Sequence, residues 1–519
     1  MSSRVDNPFV NEPVVSFRTE AHAAAQRAAI AKVRAELGRE YDLVIGGRRI
    51  RTEEKLRSIN PARPSEIVGV HQKAAEQHVA PAIQAALTAF DSWKRVPAQD
   101  RAALIFRVAQ ILRERKFEFN AWLVLEVGKN WDEAEADTCE AIDFCELYAR
   151  TALHLDAAEP LVQLPGERDK LHYIALGVGA VISPWNFPLA IMAGMTVASI
   201  VSGNTVVLKP SSDSPTIAAK FFDALEEAGL PPGVVNFCPG SGATFGNGVV
   251  HHPKTRFIAF TGSRDVGLDI HQRAAQPQPG QVWIKRTILE MGGKDSIVVD
   301  ADADLDSAVE GVAVSSFGFQ GQKCSACSRA IVDAKIYDEF LDKLRARVEK
   351  NKVGDPAENV YMGPVINEGA LKSILNYVEI GKREGRVITG GNRLPRDGYF
   401  LEPTVIADIA PTARLAQEEI FGPVLAVIKS NGFDDALAIA NNTEYGLTGA
   451  IYTSSEEKIA RAEGEFHAGN LYINRKCTGA IVGAHPFGGF NMSGTDSKAG
   501  GADYLYLFTQ AQSIARKLT

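Results

Sequence analysis

From Leu171 to Leu208 the sequence holds no aspartate, glutamate, lysine or arginine, and this stretch constrains the fold more than any other. It cannot span a membrane, because Gly177, Gly179, Pro184, Asn186, Pro188, Gly194, Gly203 and Asn204 break it into pieces too short to cross a bilayer. Such pieces must be buried inside a protein core. They read as a strand at Gly179–Ile182, a helix from about Pro188 and a strand at Thr205–Leu208. A helix opened by Ser214-Pro215 and closed by Gly229 follows, with serine expected as N-cap and proline in the first turn. Strands at Val234–Cys238 and Phe257–Phe260 continue the alternation. Repeated strand–helix units predict a parallel, doubly wound sheet with ligands at the carboxyl ends of its strands.

A second series begins after Leu289, with strands at Ser296–Val299, Arg329–Val332, Val424–Ile428 and Gly449–Tyr452. Helices are expected before Cys324, at 336–351, near 368–383 and at Asp434–Ala440. On the amino-terminal side, residues 17–37 form an alanine-rich helix, Tyr41–Ile50 a hairpin in an arm without chemistry, and Ala80–Arg150 a helical layer. Beyond His485 the chain is rich in glycine and polar residues, then apolar and aromatic from Tyr504 to Phe508, a tail that needs another domain or subunit to dock on. The fold class is therefore α/β. The expected domains are 1–150 with 177–290, which binds a nucleotide, and 291–476, which carries the chemistry; 151–176 and 485–519 supply strands and a tail for oligomerisation.

The 519 residues are 45% hydrophobic and 23% charged with a net charge of -7, which argues against a nucleic-acid partner and for small-molecule chemistry. Six scattered cysteines suit a reducing compartment, and the first thirty residues show neither an apolar secretory core nor an acid-poor transit pattern. A cytoplasmic protein with no membrane partner is expected.

Cys324 lies in Phe317-Gly318-Phe319-Gln320-Gly321-Gln322-Lys323-Cys324-Ser325-Ala326-Cys327, a tight loop between a buried helix and a buried strand. A thiol there can act as a covalent nucleophile, and it can equally be a structural core cysteine. A third reading, a redox dithiol or half of a zinc site, comes from the Cys324-x-x-Cys327 spacing. No second such pair and no nearby histidine completes a ligand set, so no metal is expected. The run Gly240-Ser241-Gly242-Ala243-Thr244-Phe245-Gly246 is one residue too long for the dinucleotide fingerprint and equally suits a plain turn. Lys209-Pro210 and Phe260-Thr261-Gly262-Ser263, each ending a strand, add groups suited to ribose hydroxyls and phosphates.

Together with Ser183-Pro184-Trp185-Asn186-Phe187-Pro188, Leu289-Glu290-Met291-Gly292-Gly293-Lys294, Gly321-Gln322-Lys323-Cys324, Glu418-Glu419-Ile420-Phe421-Gly422-Pro423 and Pro486-Phe487-Gly488-Gly489, these motifs resemble the aldehyde dehydrogenase superfamily, in its order and from about residue 40 to the end. Asn474–Gly483 and Ser493–Gly501 further resemble the branch that oxidises L-glutamate γ-semialdehyde, the opened form of 1-pyrroline-5-carboxylate, in proline degradation. The resemblance implies a Rossmann-type NAD-binding domain, an α/β catalytic domain and a small oligomerisation flap. It implies Cys324 as nucleophile, the Asn186 amide and the Cys324 N–H as oxyanion donors, and Glu290 as the base that activates water. NAD contacts would fall on Lys209 and Ser212 near the adenosine ribose, Ser263 near the pyrophosphate, and Glu419 and Phe421 at the nicotinamide end. Ile182, Pro184, Trp185, Gly242, Thr261 and Gly262 complete the cofactor set. Many NAD-specific relatives carry glutamate where this chain has Ser212, so NADP is also expected to be accepted. The substrate's α-carboxylate would meet Ser325, Gly479 and Ala480, its stem Phe187 and Phe487, and its ammonium Glu140. A homodimer or larger homo-oligomer is implied, with proline dehydrogenase as a further partner.

Overall fold

A computed structural model of the chain describes residues 8–157 and 161–518. The uncharged stretch supplies two fully buried parallel strands, Val178–Ile182 and Thr205–Lys209, linked by the buried helix Ala190–Val201. They lie inside a seven-stranded sheet ordered Arg286–Glu290, Thr255–Thr261, Val178–Ile182, Thr205–Lys209, Val235–Phe237, Leu43–Ile45, Arg48–Ile50. The first five strands are parallel, as continuous apolar runs covered by helices on both faces require. The last two are the hairpin near the amino terminus, which joins this sheet antiparallel instead of forming a separate arm.

Helix Pro215–Glu227 departs from expectation at its start. Ser214 makes no side-chain cap there. The N–H groups of Thr216 and Ile217 instead donate to the two carboxylate oxygens of Glu126, each at 2.7 Å, and Ser58 Oγ donates to the same acid at 2.7 Å. A buried carboxylate with two oxygens satisfies more orphan donors than one hydroxyl, and the positive end of the helix favours its charge. Glu126 comes from helix Lys116–Val127, which ends at Gly128 in the left-handed conformation, φ 72°. Helix Trp131–Ala157 then runs unbroken across position 151, where a boundary was expected.

The second sheet is ordered Arg386–Thr389, Thr404–Ala407, Val424–Ser430, Arg329–Asp333, Ser296–Val299, Thr448–Tyr452, Asn470–Ile473, parallel except for the first strand. Three strands not foreseen, Arg386–Thr389, Thr404–Ala407 and Asn470–Ile473, lie toward its two edges and are four residues long, too short for a clear alternation. Lys55–Asn60, Arg63–Gln72 and Arg39–Tyr41 make a further small sheet. Glu167–Ala175 pairs antiparallel with Thr509–Lys517 over its whole length. Before that strand, Tyr504 stacks on Tyr148 and Phe508 meets Phe257 edge-on, while Arg286 donates to the carbonyls of Tyr506, Leu507 and Thr509. The tail thus docks on its own nucleotide-binding sheet. Among the described residues no helix is long and apolar enough to cross a membrane.

Candidate active site

The two sheets present opposite ends to one cleft of about 810 Å³. The first contributes the loops that follow its strands: Ile182 to Asn186, Lys209 to Asp213, Gly242, and Thr261 to Ser263. The second contributes loops that precede its strands, with Gly292 before Ser296–Val299, Cys324 before Arg329–Asp333 and Glu419 to Phe421 before Val424–Ser430. The carboxyl-end rule therefore holds for the nucleotide sheet, whereas the sulfur sits at amino-terminal ends.

Helix Leu305–Phe317 delivers the thiol through a turn in which Phe319 and Gln320 have φ of 47° and 56°. That left-handed backbone is costly for side chains larger than glycine, of order 1–3 kcal/mol each, and persists only where neighbours over-determine it. The buried Gln320 amide supplies the constraint: Nε2 donates to the carbonyls of Gly128 (3.2 Å) and Pro364 (2.8 Å), and Oε1 accepts from Gly363 N–H (2.9 Å). Close approach is needed as well, since a Cβ on Gly293 would stand 2.5 Å from the Cys324 carbonyl oxygen. Burial, with the carboxylates of Asp295, Glu290 and Glu419, holds the Cys324 thiol well above its ordinary pKa against the pull of the Ser325 N–H, so it is protonated at rest. Cys327 does not share this site. Its buried thiol donates to the Arg329 carbonyl at 3.4 Å and neighbours Cys477, all six cysteines are free, and among the described residues no group of three histidine, cysteine or acid side chains could hold a metal.

Asn186, 4% exposed, donates from Nδ2 to the Gln322 carbonyl at 3.2 Å, which fixes its amide plane and leaves a second N–H for another acceptor. Glu290 ends strand Arg286–Glu290 and is buried. Burial pushes its carboxyl up to about 8, opposed by hydrogen bonds from the Ser497 hydroxyl and the Gly489 N–H.

The cofactor set lies along the same cleft. Lys209 is buried, its Nζ donating to the carbonyls of Pro210 (2.9 Å) and Gly240 (3.3 Å), and burial lowers its pKa to about 8 against the attraction of Asp213. An ammonium so placed has a third hydrogen to give to a hydroxyl of a bound nucleotide. Ser212 stands exposed at the rim, and Ser263 starts helix Arg264–Ala274 without using its side chain as a cap. Trp185 and Phe421 meet edge to face, ring centroids 5.4 Å apart. Glu419 accepts from Gly293 N–H at 3.1 Å, and burial raises its carboxyl to about 7. A cleft of this volume, with backbone N–H groups at one end and the aromatic pair Trp185 and Phe421 at the other, fits a dinucleotide.

The residues expected to meet the substrate do not line that cleft. Ser325 follows Cys324, Phe187 meets Phe319 of the same loop, and Glu140 lies on helix Trp131–Ala157. Glu140 is half-buried on this helix, its carboxyl raised to about 8 by burial and by Asp137, with Lys129 opposing. Phe187 covers the Lys129 ammonium, 3.7 Å from its ring centroid, and meets Phe319 edge-on. Gly479 is exposed, Ala480 half-buried, and Phe487 is paired through its backbone with Ala499. Ser325 is buried, its carbonyl accepting from Thr448 Oγ1 and the Cys477 thiol. Two groups were not singled out from the sequence. Lys129, fully buried and 3.1 Å from Asp137, supports Phe187 from beneath, while Asp137 also accepts the Ala190 N–H that begins the helix after Asn186. Lys323, beside Cys324, pairs with Glu133 at 2.7 Å.

Residues 49–514 match the model of the aldehyde dehydrogenase family. A 1-pyrroline-5-carboxylate dehydrogenase of Geobacillus kaustophilus (strain HTA426) is 57% identical over 509 residues, 98% of this chain and 99% of that protein. A crystal structure of 1-pyrroline-5-carboxylate dehydrogenase from Thermus with bound NAD is 50% identical with a TM-score of 0.97, covering 98% of this chain and 99% of that one. Proline utilization A from Bdellovibrio bacteriovorus, inactivated by N-propargylglycine, is 44% identical with a TM-score of 0.97, but the match spans 53% of that chain. Full-length likeness at this identity, on a fold whose cleft gathers a thiol, an amide and a carboxyl, leads to one conclusion: the chain belongs to the aldehyde dehydrogenase family.

Proposed function

We propose that the protein oxidises L-glutamate γ-semialdehyde, formed by hydration and opening of 1-pyrroline-5-carboxylate, to L-glutamate with NAD, as a step of proline degradation. The observation that carries the reading is a loop-borne thiol at one end of a dinucleotide-sized cleft, with the buried Asn186 amide lining the same cleft and the Glu290 carboxyl acting on it. Cys324 gives up its thiol proton to solvent, Sγ adds to the aldehyde carbon as the carbonyl π pair moves onto oxygen, and the oxygen that gains charge is met by the Asn186 amide and the Cys324 N–H. NAD, when bound, supplies a cationic ring that accepts hydride. Lys209, Glu419, Trp185 and Phe421 are the residues that would hold it. Cys324 then carries the acyl group as a thioester. Glu290 takes a proton from water, whose oxygen displaces the sulfur and releases the acid.

Recognition of an amino-acid aldehyde follows from charge. Burial and the neighbouring Asp137 outweigh the Lys129 and Lys323 ammoniums at Glu140, so it holds its proton at neutral pH; an α-ammonium adds to the cationic side, favours the ionised form and gains a charged partner. The α-carboxylate would sit at Ser325, Gly479 and Ala480, and the aliphatic stem between Phe187 and Phe487. Ser212, being neutral, offers no repulsion to a 2′-phosphate, so NADP serves more weakly beside NAD. Six free thiols suit a cytoplasmic setting. A homo-oligomer built through Glu167–Ala175 and Thr509–Lys517 is supported by their two-stranded sheet, whose outer edges have no further strand among the described residues. Association with proline dehydrogenase is supported by the proline utilization A chain, in which the region matched here is half of a larger protein.

The test is NADH formation with 1-pyrroline-5-carboxylate beside succinate semialdehyde and a simple aliphatic aldehyde. Preference for the first by tenfold or more in kcat/KM is expected; equal use of all three would overturn the substrate assignment.

A further inference from the structure

The chain after Ser493 returns to the end of the strand that carries Glu290. Met291 N–H donates to the Ser493 carbonyl at 2.7 Å, Thr495 N–H to the Leu289 carbonyl at 3.0 Å, and Leu289 N–H to Thr495 Oγ1 at 3.0 Å. That pairing brings Ser497, 3% exposed, onto the carboxyl: its hydroxyl donates to Glu290 Oε1. Oε2 is also buried, and among the described residues no side chain or backbone group is hydrogen-bonded to it. Lys498, the next residue, donates to the carbonyls of Gly469 (2.7 Å) and Gly488 (2.6 Å) and so braces the turn whose Gly489 N–H faces the same carboxyl.

We propose that Ser497 is a positioning residue for the hydrolytic half of the reaction: its hydroxyl holds Oε1 of Glu290, and Oε2 is thereby the oxygen that takes the proton from the attacking water. The inference rests on the reading of Cys324 as nucleophile and Glu290 as base. In this step a water O–H bond breaks, its proton passes to Oε2, its oxygen bonds to the acyl carbon, and the C–S bond breaks with its electron pair going to Cys324. The charged and titratable groups facing Glu290 are Lys498 and Asp496 on the returning segment, Tyr504 beyond it, and the Cys324 thiol opposite. Lys498 favours the ionised base and Asp496 opposes it, so the Ser497 bond is the largest contribution keeping the carboxyl from rising further. Without that donor the base should titrate at higher pH.

An activated ester, p-nitrophenyl acetate, tests this without any nicotinamide. Its burst of nitrophenol counts acylation of Cys324, and the steady rate that follows reports hydrolysis. For Ser497→Ala and Ser497→Cys the burst is expected to stay, the steady rate at pH 7 to fall about tenfold, and its pH midpoint to rise by about one unit. Ser497→Thr should restore both. An unmoved midpoint in the Ala and Cys variants, or a burst that falls in step with the steady rate, overturns the assignment. If the burst persists in Cys324→Ala, the nucleophile reading itself fails, a result separable from the first.

Discussion

Replacing Asn186 by alanine removes one amide and little else. In the resting protein that amide makes a single bond among the described residues, 3.2 Å to the Gln322 carbonyl, and the side chain is 4% exposed. Losing the bond and leaving the carbonyl unmet costs about 2–3 kcal/mol, well inside the roughly 5–15 kcal/mol by which domains are stable, so the variant should fold with Tm lowered by a few degrees. The kinetic cost is of another kind. A donor aimed at a developing oxyanion in a water-poor site is worth about 2.7–4 kcal/mol, which is about a hundred- to thousandfold in rate. Stopped-flow NADH formation at saturating semialdehyde and NAD reads this directly, because it reports the steps up to the thioester. Asn186→Asp sharpens the comparison: it fills the same space but points a carboxylate at the oxyanion, and should be slower still. An alanine variant within about fivefold of the parent enzyme would mean that the Cys324 N–H carries the charge alone, and the role assigned to Asn186 would have to be abandoned.

Three further outcomes follow from the site. With its pKa near 8, Glu290 is an ionised base only above that value, so the hydrolytic rate should climb as pH rises through about 8 and fall on the acid side. Glu290→Gln should accumulate the acyl form, visible by mass spectrometry, and lose this climb. A Cβ on Gly292 would lie 2.2 Å from Glu419 Oε2, so Gly292→Ala must push that carboxylate aside; the KM for NAD is expected to rise about tenfold while nitrophenyl acetate hydrolysis changes little. Ser212→Glu should cut activity with NADP tenfold or more relative to NAD, checked by paired kcat/KM measurements.

What could be read from residues alone followed the range of the interactions. Val178–Ile182 and Thr205–Lys209 are buried on both faces, and their apolar runs mark them without reference to anything else in the chain. The Cys324 loop is visible because glycines and a cysteine stand between a helix and a strand. Arg386–Thr389 and Asn470–Ile473 gave no such signal, being short strands at the sheet edges. The groups that tune the site were least visible of all. Ser497 reaches Glu290 across a sequence separation of 207, and Glu126 caps a helix that begins 89 or more residues later, contacts that local pattern does not encode. Lys129 looks like an ordinary surface lysine after a glycine stop. Only the folded arrangement of Asp137 and Phe187 around it shows that its ammonium is an interior one.

The opposed polarity of the two sheets sets how damage will read out. Lys209, Ser212 and Ser263 are anchored in one framework, whereas Cys324 stands with Glu419 and Phe421 in the other, so sliding one framework against the other by a fraction of an ångström shifts the proposed nucleophile relative to a nucleotide held at its far end while leaving each lining surface intact. Lesions at the seam between them should surface as slow enzymes that still bind both partners at ordinary strength, and temperature or pressure, acting on that seam first, should erode turnover before either half unfolds.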